Sequence, residues 1–197
     1  MLHVWMIFLS VAMASSPPFW KAKDKVYERV KEGEIIVAVK AEEATSTQKR
    51  LTIAGGGQVA APRDHVLRLA RDYNQVARLS GFVEKSVYHS DTGVMDLHLS
   101  IFGHHADVKV AVESPASAEP PRLTFRILEG PMQGLRGQLD FVALGPSKTE
   151  VGIEGEYAYT RFPLPRFFLE FGLEVAFQKM AARLRQKVES SYRDGQS

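Results

Sequence analysis

The chain contains no cysteine in 197 residues, and that absence removes several chemistries together. Disulfides, thiolate metal sites, a cysteine nucleophile and a lipid anchor on cysteine are all excluded. An excess of either charge is also missing: 25 Lys and Arg stand against 23 Asp and Glu, a net +2. So small a balance offers no electrostatic case for nucleic acid as a partner. There is no internal repeat, no low-complexity tract, and no linker after Gly33. No Gly-x-Ser-x-Gly occurs, and no base can be placed beside any serine. What is present is ordinary. At 45% hydrophobic and 24% charged, the composition is that of one globular domain with a sizeable core.

Residues 2–14 form an apolar run interrupted by His3 and Ser10. Ala12-Met13-Ala14 has the small-x-small form of a cleavage site, and Ser15, Ser16, Pro17 and Pro18 follow. The run is short for a membrane span and right for a secretory h-region, although no Lys or Arg precedes it. The expectation is a signal peptide over 1–14 and an exported protein, bacterial periplasm being the implied place; a cytoplasmic protein is the alternative. Residues 15–33 are expected as a helical extension on the outside of the domain. Trp20, Lys23, Tyr27 and Val30 share a helical face there, and Gly33 ends it.

From residue 34 onward strand signals dominate. The pattern predicts strands over 34–40, 49–60, 82–89, 94–102, 106–112, 122–128, 135–144 and 149–160, with two short helices over 63–70 and 73–79. Met95, Leu97, Leu99 and Ile101 share one face, as do Leu123, Phe125 and Ile127, and likewise Val151, Ile153, Tyr157 and Tyr159. The triplet Gly55-Gly56-Gly57 reads as a bulge or sharp bend; a phosphate loop is set aside because no Gly-Lys-Ser/Thr follows. The last long segment, 163–192, is one helix. Leu169, Leu173, Ala176, Phe177, Met180, Leu184 and Val188 make its stripe, while Phe167, Phe168, Phe171 and Val175 leave its first half apolar nearly all round. An antiparallel sheet with one apolar face must be covered, and this helix is the element large enough to do it.

Two motifs give these elements a family likeness. Ala61-Pro62-Arg63-Asp64-His65-Val66 with Arg71-Asp72-Tyr73 is similar to the AP-x-x-x-V…D-Y opening of the START-like (SRPBCC) superfamily. That group includes polyketide cyclases, plant pathogenesis-related ligand carriers and lipid-transfer domains. Glu129-Gly130-Pro131 through Leu135 and Gly137 resembles the EGP-x-x-x-L-x-G strand pair of its polyketide cyclase/coenzyme Q-binding branch, and Lys148-Thr149-Glu150-Val151 fits the same branch. The resemblance covers 34–192, leaving 193–197 as a tail, and its motifs are mainly structural. It implies an α+β helix-grip fold: a bent antiparallel sheet wrapped around the long C-terminal helix, with an apolar cavity between them and the first half of the helix as lid. The ligand-facing set it implies is Met95, Leu97, Leu99, Val110, Phe125, Ile127, Leu139, Phe141, Ile153, Tyr157, Tyr159, Phe168, Phe171 and Val175. The expected partner is a hydrophobic small molecule, lipid or quinone-like, with no cofactor and no metal.

Other chemistry is weighed residue by residue. His98, His104 and His105 suggest a metal, but no carboxylate converges on them by spacing, so surface histidines are expected. Asp140, Glu150, Glu154 and Glu156 lie on strands, and alternation puts the three glutamates on the solvent side. Tyr157 and Tyr159 are either polar handles for a ligand or core tyrosines. Phe162, Pro163, Leu164, Pro165, Phe167, Phe168 and Phe171 are either packing at the helix start or an apolar lip through which a lipid-like molecule enters or which makes transient membrane contact. Two alternatives to ligand carriage stand: a cyclase or dehydratase in which Tyr157, Tyr159 or Arg126 polarises a carbonyl, and a protein-interaction module like the ribosome-associated toxin relatives.

Overall fold

A computed structural model describes residues 17–45, 47–79, 81–101, 104–160 and 166–195, with backbone alone at 79, 101, 104 and 166–169. The run at 2–14 and residues 162–165 of the aromatic cluster lie outside the described residues. Helix α1 (Asp24–Lys31) precedes strands β1 (Ile36–Glu43) and β2 (Lys49–Val59). Helix α2 (Arg63–Ala70), a 3-10 turn (Tyr73–Gln75) and α3 (Val76–Leu79) follow, then β3 (Val83–His89), β4 (Val94–Ile101) and β5 (His104–Glu113). Strands β6 (Arg122–Glu129), β7 (Arg136–Gly145) and β8 (Lys148–Tyr159) lead to α4 (Arg166–Asp194). All eight strands join one antiparallel sheet in the order β1-β2-β8-β7-β6-β5-β4-β3. The architecture is the curved open sheet and long terminal helix of the START-like, helix-grip kind.

The inner face divides into three apolar clusters. Val37, Val39, Ala41, Leu51, Ile53, Leu135 and Tyr159 form one, with Leu173 and Phe177 of α4 against it. Val59, Ala61, Val66, Leu67, Leu123, Phe141 and Val188 form the second, which joins α2 and the end of α4 to the middle of the sheet. Met95, Val108 and Val110 form the third, beneath Tyr73 and Val76.

Helix α4 also closes the sheet's first edge. β1 is an edge strand, and an open row of N–H groups there would invite another chain. Glu174 Oε1 accepts the Val39 N–H at 2.9 Å and Glu170 Oε1 accepts the Ala41 N–H at 2.6 Å. The two carboxylates are four residues apart, one helical turn, matching two donors on one side of a strand. A hydrogen bond to a charged partner contributes about 1.5–3 kcal/mol. The first half of α4 is therefore not uniformly apolar in use: its glutamates hold it to β1.

The glycine triplet is not a bulge. β2 keeps continuous register with β1 and with β8 through Gly55, Gly56 and Gly57. Its glycines are required by close neighbours instead. A Cβ on Gly56 would lie 2.5 Å from the Trp20 ring, and one on Gly55 would lie 2.7 Å from the Ile36 carbonyl oxygen.

Trp20 belongs to the N-terminal segment, which roofs the outer face of β2 and β8. It lies in a turn before α1 instead of on the helical face expected for it. This roof overturns the expected exposure of Glu150. Alternation places that carboxylate on the outer face as read, yet it is 2% exposed. Lys21 Nζ lies 2.5 Å from Glu150 Oε1, and the Tyr27 hydroxyl also bonds to Glu150. Glu154 is exposed as expected, whereas Glu156 is half-buried and pairs with Arg136.

Burial, then the charge and hydrogen bond of Glu150, raise the Tyr27 phenol above its ordinary value of 10.0, with Lys21 and Lys31 opposing. A raised folded-state value stabilises fully below the unfolded value and loses that contribution as pH rises through the folded one. Unfolding free energy should thus decline above about pH 10. Tyr73, raised mainly by burial, adds to the same limb. Tyr27→Phe should make the alkaline decline shallower in denaturant titrations; an unchanged slope would count against the Tyr27–Glu150 contact.

Candidate functional site

Between α4 and the sheet lies a cavity of about 350 Å³. Its floor is Phe125 of β6, Leu139 and Phe141 of β7, and Val151 and Ile153 of β8. Its roof is α4 from Phe177 onward, through Met180, Ala181, Leu184 and Val188, and its side walls come from Ile35, Val37 and the α2 residues Val66, Leu69 and Ala70.

Glycines form part of one wall. Along β2 the inner-facing positions run Leu51, Ile53, Gly55, Gly57 and Val59, in step with Tyr157, Gly155, Ile153, Val151 and Thr149 of β8. Gly55 and Gly57 are two successive inward positions on β2 that line the cavity with backbone alone, with Ile36, Val37 and Ile153 close to the first and Ile35 close to the second.

Polar side chains are scarce around it. Arg185 lines it, but its Nη1 donates to the Gly33 carbonyl at 2.6 Å. Gln58 also lines it, though its place in the ladder is opposite Glu150, whose side chain lies on the outer face. Among the described lining residues there is no His, Asp, Glu, Ser, Thr, Tyr or Lys. No described lining residue is a general acid or base at neutral pH.

The structure sorts the ligand-facing set of the sequence reading. Phe125, Leu139, Phe141 and Ile153 line the cavity. Met95, Leu97, Leu99, Val110 and Ile127 gather instead in the cluster beneath Tyr73 and Val76. Tyr157 and Tyr159 stack with ring centroids 5.6 Å apart and pack into the cluster of β1, β2 and the first half of α4. Of the described α4 side chains, those from Phe177 to Val188 cover the cavity, while Leu173 packs on the cluster of β1 and β2. Val175 is half-buried away from the cavity, Phe171 is 55% exposed, and the Phe168 side chain lies outside the described residues. Among the residues missed were Phe177, Met180, Leu184 and Val188, already visible as the helix's apolar stripe; Ile35 and, on the sheet, Val37, Val59 and Val151; and the wall from α2, for which nothing local gave a signal.

A second concavity, about 760 Å³, lies elsewhere on the sheet and is rimmed by Glu113, Arg126, Arg136, Gln138, Glu154 and Glu156. It is larger but charged, and it is spanned by the Arg136–Glu156 pair. Arg126 therefore faces this groove and not the cavity.

The histidines call for another correction. His98 and His105 are surface residues, but a carboxylate does converge on them: Glu84 of β3 lies beside both. The His104 side chain lies outside the described residues.

Residues 59–185 match the profile of a family described as polyketide cyclase / dehydrase and lipid transport. Among solved structures, a START superfamily protein from Mycobacterium smegmatis is similar at 16% identity and a TM-score of 0.61, covering 71% of this chain and 97% of its own. The Zhui aromatase/cyclase from Streptomyces sp. R1128 is similar at 18% identity and a TM-score of 0.60, covering 73% of this chain and 94% of its own. A norcoclaurine synthase point mutant from Thalictrum is similar at 15% identity and a TM-score of 0.56, covering 78% of this chain and 100% of its own. At these identities the likeness is one of fold. No curated protein matches the chain in sequence. Among the described residues no helix is long and apolar enough to cross a membrane.

Proposed function

Because the chain belongs to the polyketide cyclase / dehydrase and lipid transport family, we propose that it binds and carries a hydrophobic small molecule in the cavity beneath α4. The observation that carries this reading is the lining itself: Phe125, Phe141, Ile153, Phe177 and Leu184 surround about 350 Å³ of space. That volume falls within the usual range for ligand sites, about 300–1,000 Å³. It is roughly twice a cavity that accepts benzene. A fused two- or three-ring system, a quinone head or a medium acyl chain suits it. The scarcity of polar side chains favours an uncharged ligand, since a buried charge without a partner is costly.

The cyclase alternative draws no support from its own candidate residues, because Tyr157, Tyr159 and Arg126 all lie away from the cavity. Export remains part of the proposal and rests on the run at 2–14; amino-terminal sequencing of secreted protein should begin at Ser15.

A fluorescent naphthylamine probe titrated into the full chain tests the binding reading. The native protein should enhance its emission in a saturable way, and lipid or quinone should displace it. Ala181→Trp adds a large ring where the roof faces the hollow, at little cost because the space is open. It should weaken the probe by about tenfold or more, near the 1.4 kcal/mol that separates decades of affinity, with an unchanged circular dichroism spectrum. Probe binding that Ala181→Trp leaves intact, or no binding by the native protein, would sink the proposal.

A further inference from the structure

At the sheet's other edge, Glu84, His98 and His105 bring one ligand atom each to within 4.8 Å of one another. The three residues sit on adjacent strands β3, β4 and β5. Asp107 stands opposite His98 across the β4–β5 ladder, and His105 stands opposite Ser100. Glu84 is an unpaired extra residue: Val83 pairs with Leu99 and Lys85 with His98, and the register shifts between them. A bulge on an edge strand re-aims a side chain. This one brings Glu84 Oε2 to 3.5 Å from His98 Nε2 and 3.5 Å from His105 Nδ1.

A separate contact decides what His98 presents. Its Nδ1 lies 2.7 Å from Asp107 Oδ1. A neutral imidazole has one N–H, and the tautomer that suits this contact gives it to Asp107. Nε2 is then a lone pair facing the Glu84 carboxylate, which has only lone pairs to offer. A cation between them turns that opposition into attraction. A carboxylate behind a histidine, fixing its tautomer and raising its basicity, is the usual support of a metal-ligating imidazole.

Ligand type and spacing narrow the ion. Calcium and magnesium take oxygen ligands, whereas two imidazoles with one carboxylate suit zinc. Tetrahedral zinc, with bonds of about 2.0–2.2 Å, holds its donors roughly 3.3 Å apart. Both Glu84 contacts already approach that separation. The two imidazoles, tilted 15° with centroids 5.5 Å apart, need only side-chain rotation at an exposed surface.

We propose that Glu84 Oε2, His98 Nε2 and His105 Nδ1 form a zinc(II) site, with Asp107 orienting His98 and a fourth position open to water. The ion ties the edge strand β3 to β4 and β5, and this assignment is independent of the cavity's ligand.

Tag-free full-length protein competing with a chromophoric chelator for zinc near neutral pH tests it. One zinc per chain is expected, bound in the micromolar range or tighter. His105→Ala and Glu84→Gln should each weaken binding by about tenfold or more, and Asp107→Asn, which removes no ligand, by about 10–100-fold. Zinc should raise the Tm of the native protein and leave that of His98→Ala unchanged. His89→Ala, which alters a histidine paired with Asp96, should bind as the native protein does. All the substituted side chains are on the surface, and circular dichroism confirms that the variants fold. Absence of stoichiometric zinc, or binding that survives His98→Ala and His105→Ala, overturns the assignment.

Discussion

Trp20→Ala should destabilise the protein by about 3–5 kcal/mol, the range for deleting a buried aromatic ring, and lower Tm by roughly 6–20 °C in a domain of this size. Trp20 is 3% exposed, and its ring lies over Gly56 and Gly152, where added Cβ atoms would sit 2.5 Å and 2.9 Å from it. The indole N–H has no hydrogen-bond partner among the described residues, so the effect is one of packing. Gly56→Ala should displace the same ring from the other side. Once the ring is gone the added methyl has nothing to meet. The double variant Trp20→Ala/Gly56→Ala should therefore cost less than the sum of the singles, with a coupling of about 0.5–3 kcal/mol. Additive losses in chemical denaturation would mean that the ring does not hold the roof in place.

The roof also shows where sequence patterns stop informing. Alternation along β8 assigned Glu150 to the outer face correctly, because side-chain direction is a local property with period two. What covers that face is not local. Lys21 and Tyr27 reach Glu150 from more than a hundred residues away. The same distinction separates the elements from their arrangement. α2 falls on 63–70 as read, and the eight strands fall within a few residues of their expected bounds, since turn residues and periodicity are written into each segment. The insertion of β8 between β2 and β7 is a long-range pairing that no segment encodes.

The candidate site divides along the same line. Phe125, Leu139, Phe141 and Ile153 were identifiable because inward-facing residues near the middle of the sheet meet whatever the sheet encloses. Met95, Leu97 and Leu99 face inward just as plainly, yet Tyr73 and Val76 fill the space beside them. Periodicity gives the face, not the occupant. Gly55 and Gly57, alternate inward positions on β2, do line the hollow, but close neighbours occupy the room beside them, so their lack of side chains does not by itself locate it. The Glu84 convergence was hidden for a related reason, since a one-residue bulge leaves no periodic trace in a strand as short as β3.

Phe141→Ala should lower stability by about 3–5 kcal/mol and, at the same time, change which ligands the protein accepts. Phe141 is 2% exposed at the centre of the sheet. It belongs to the cluster of Val66, Leu67, Leu123 and Val188, and it forms part of the cavity floor. Deleting its ring beside an existing hollow joins the two spaces, and the surrounding strands, paired on both sides, cannot collapse to refill them. The enlarged cavity should favour a bulkier apolar probe over the one the native protein prefers. Saturation with that probe should also restore stability by mass action, about 2.7 kcal/mol at a hundred times its Kd. Val30→Ala provides the contrast. Val30 is fully buried beneath the N-terminal roof and away from the cavity lining, so its loss should lower Tm without altering ligand size preference. If Phe141→Ala and Val30→Ala shift probe selectivity alike, or neither does, the hollow beneath α4 is not where the ligand resides.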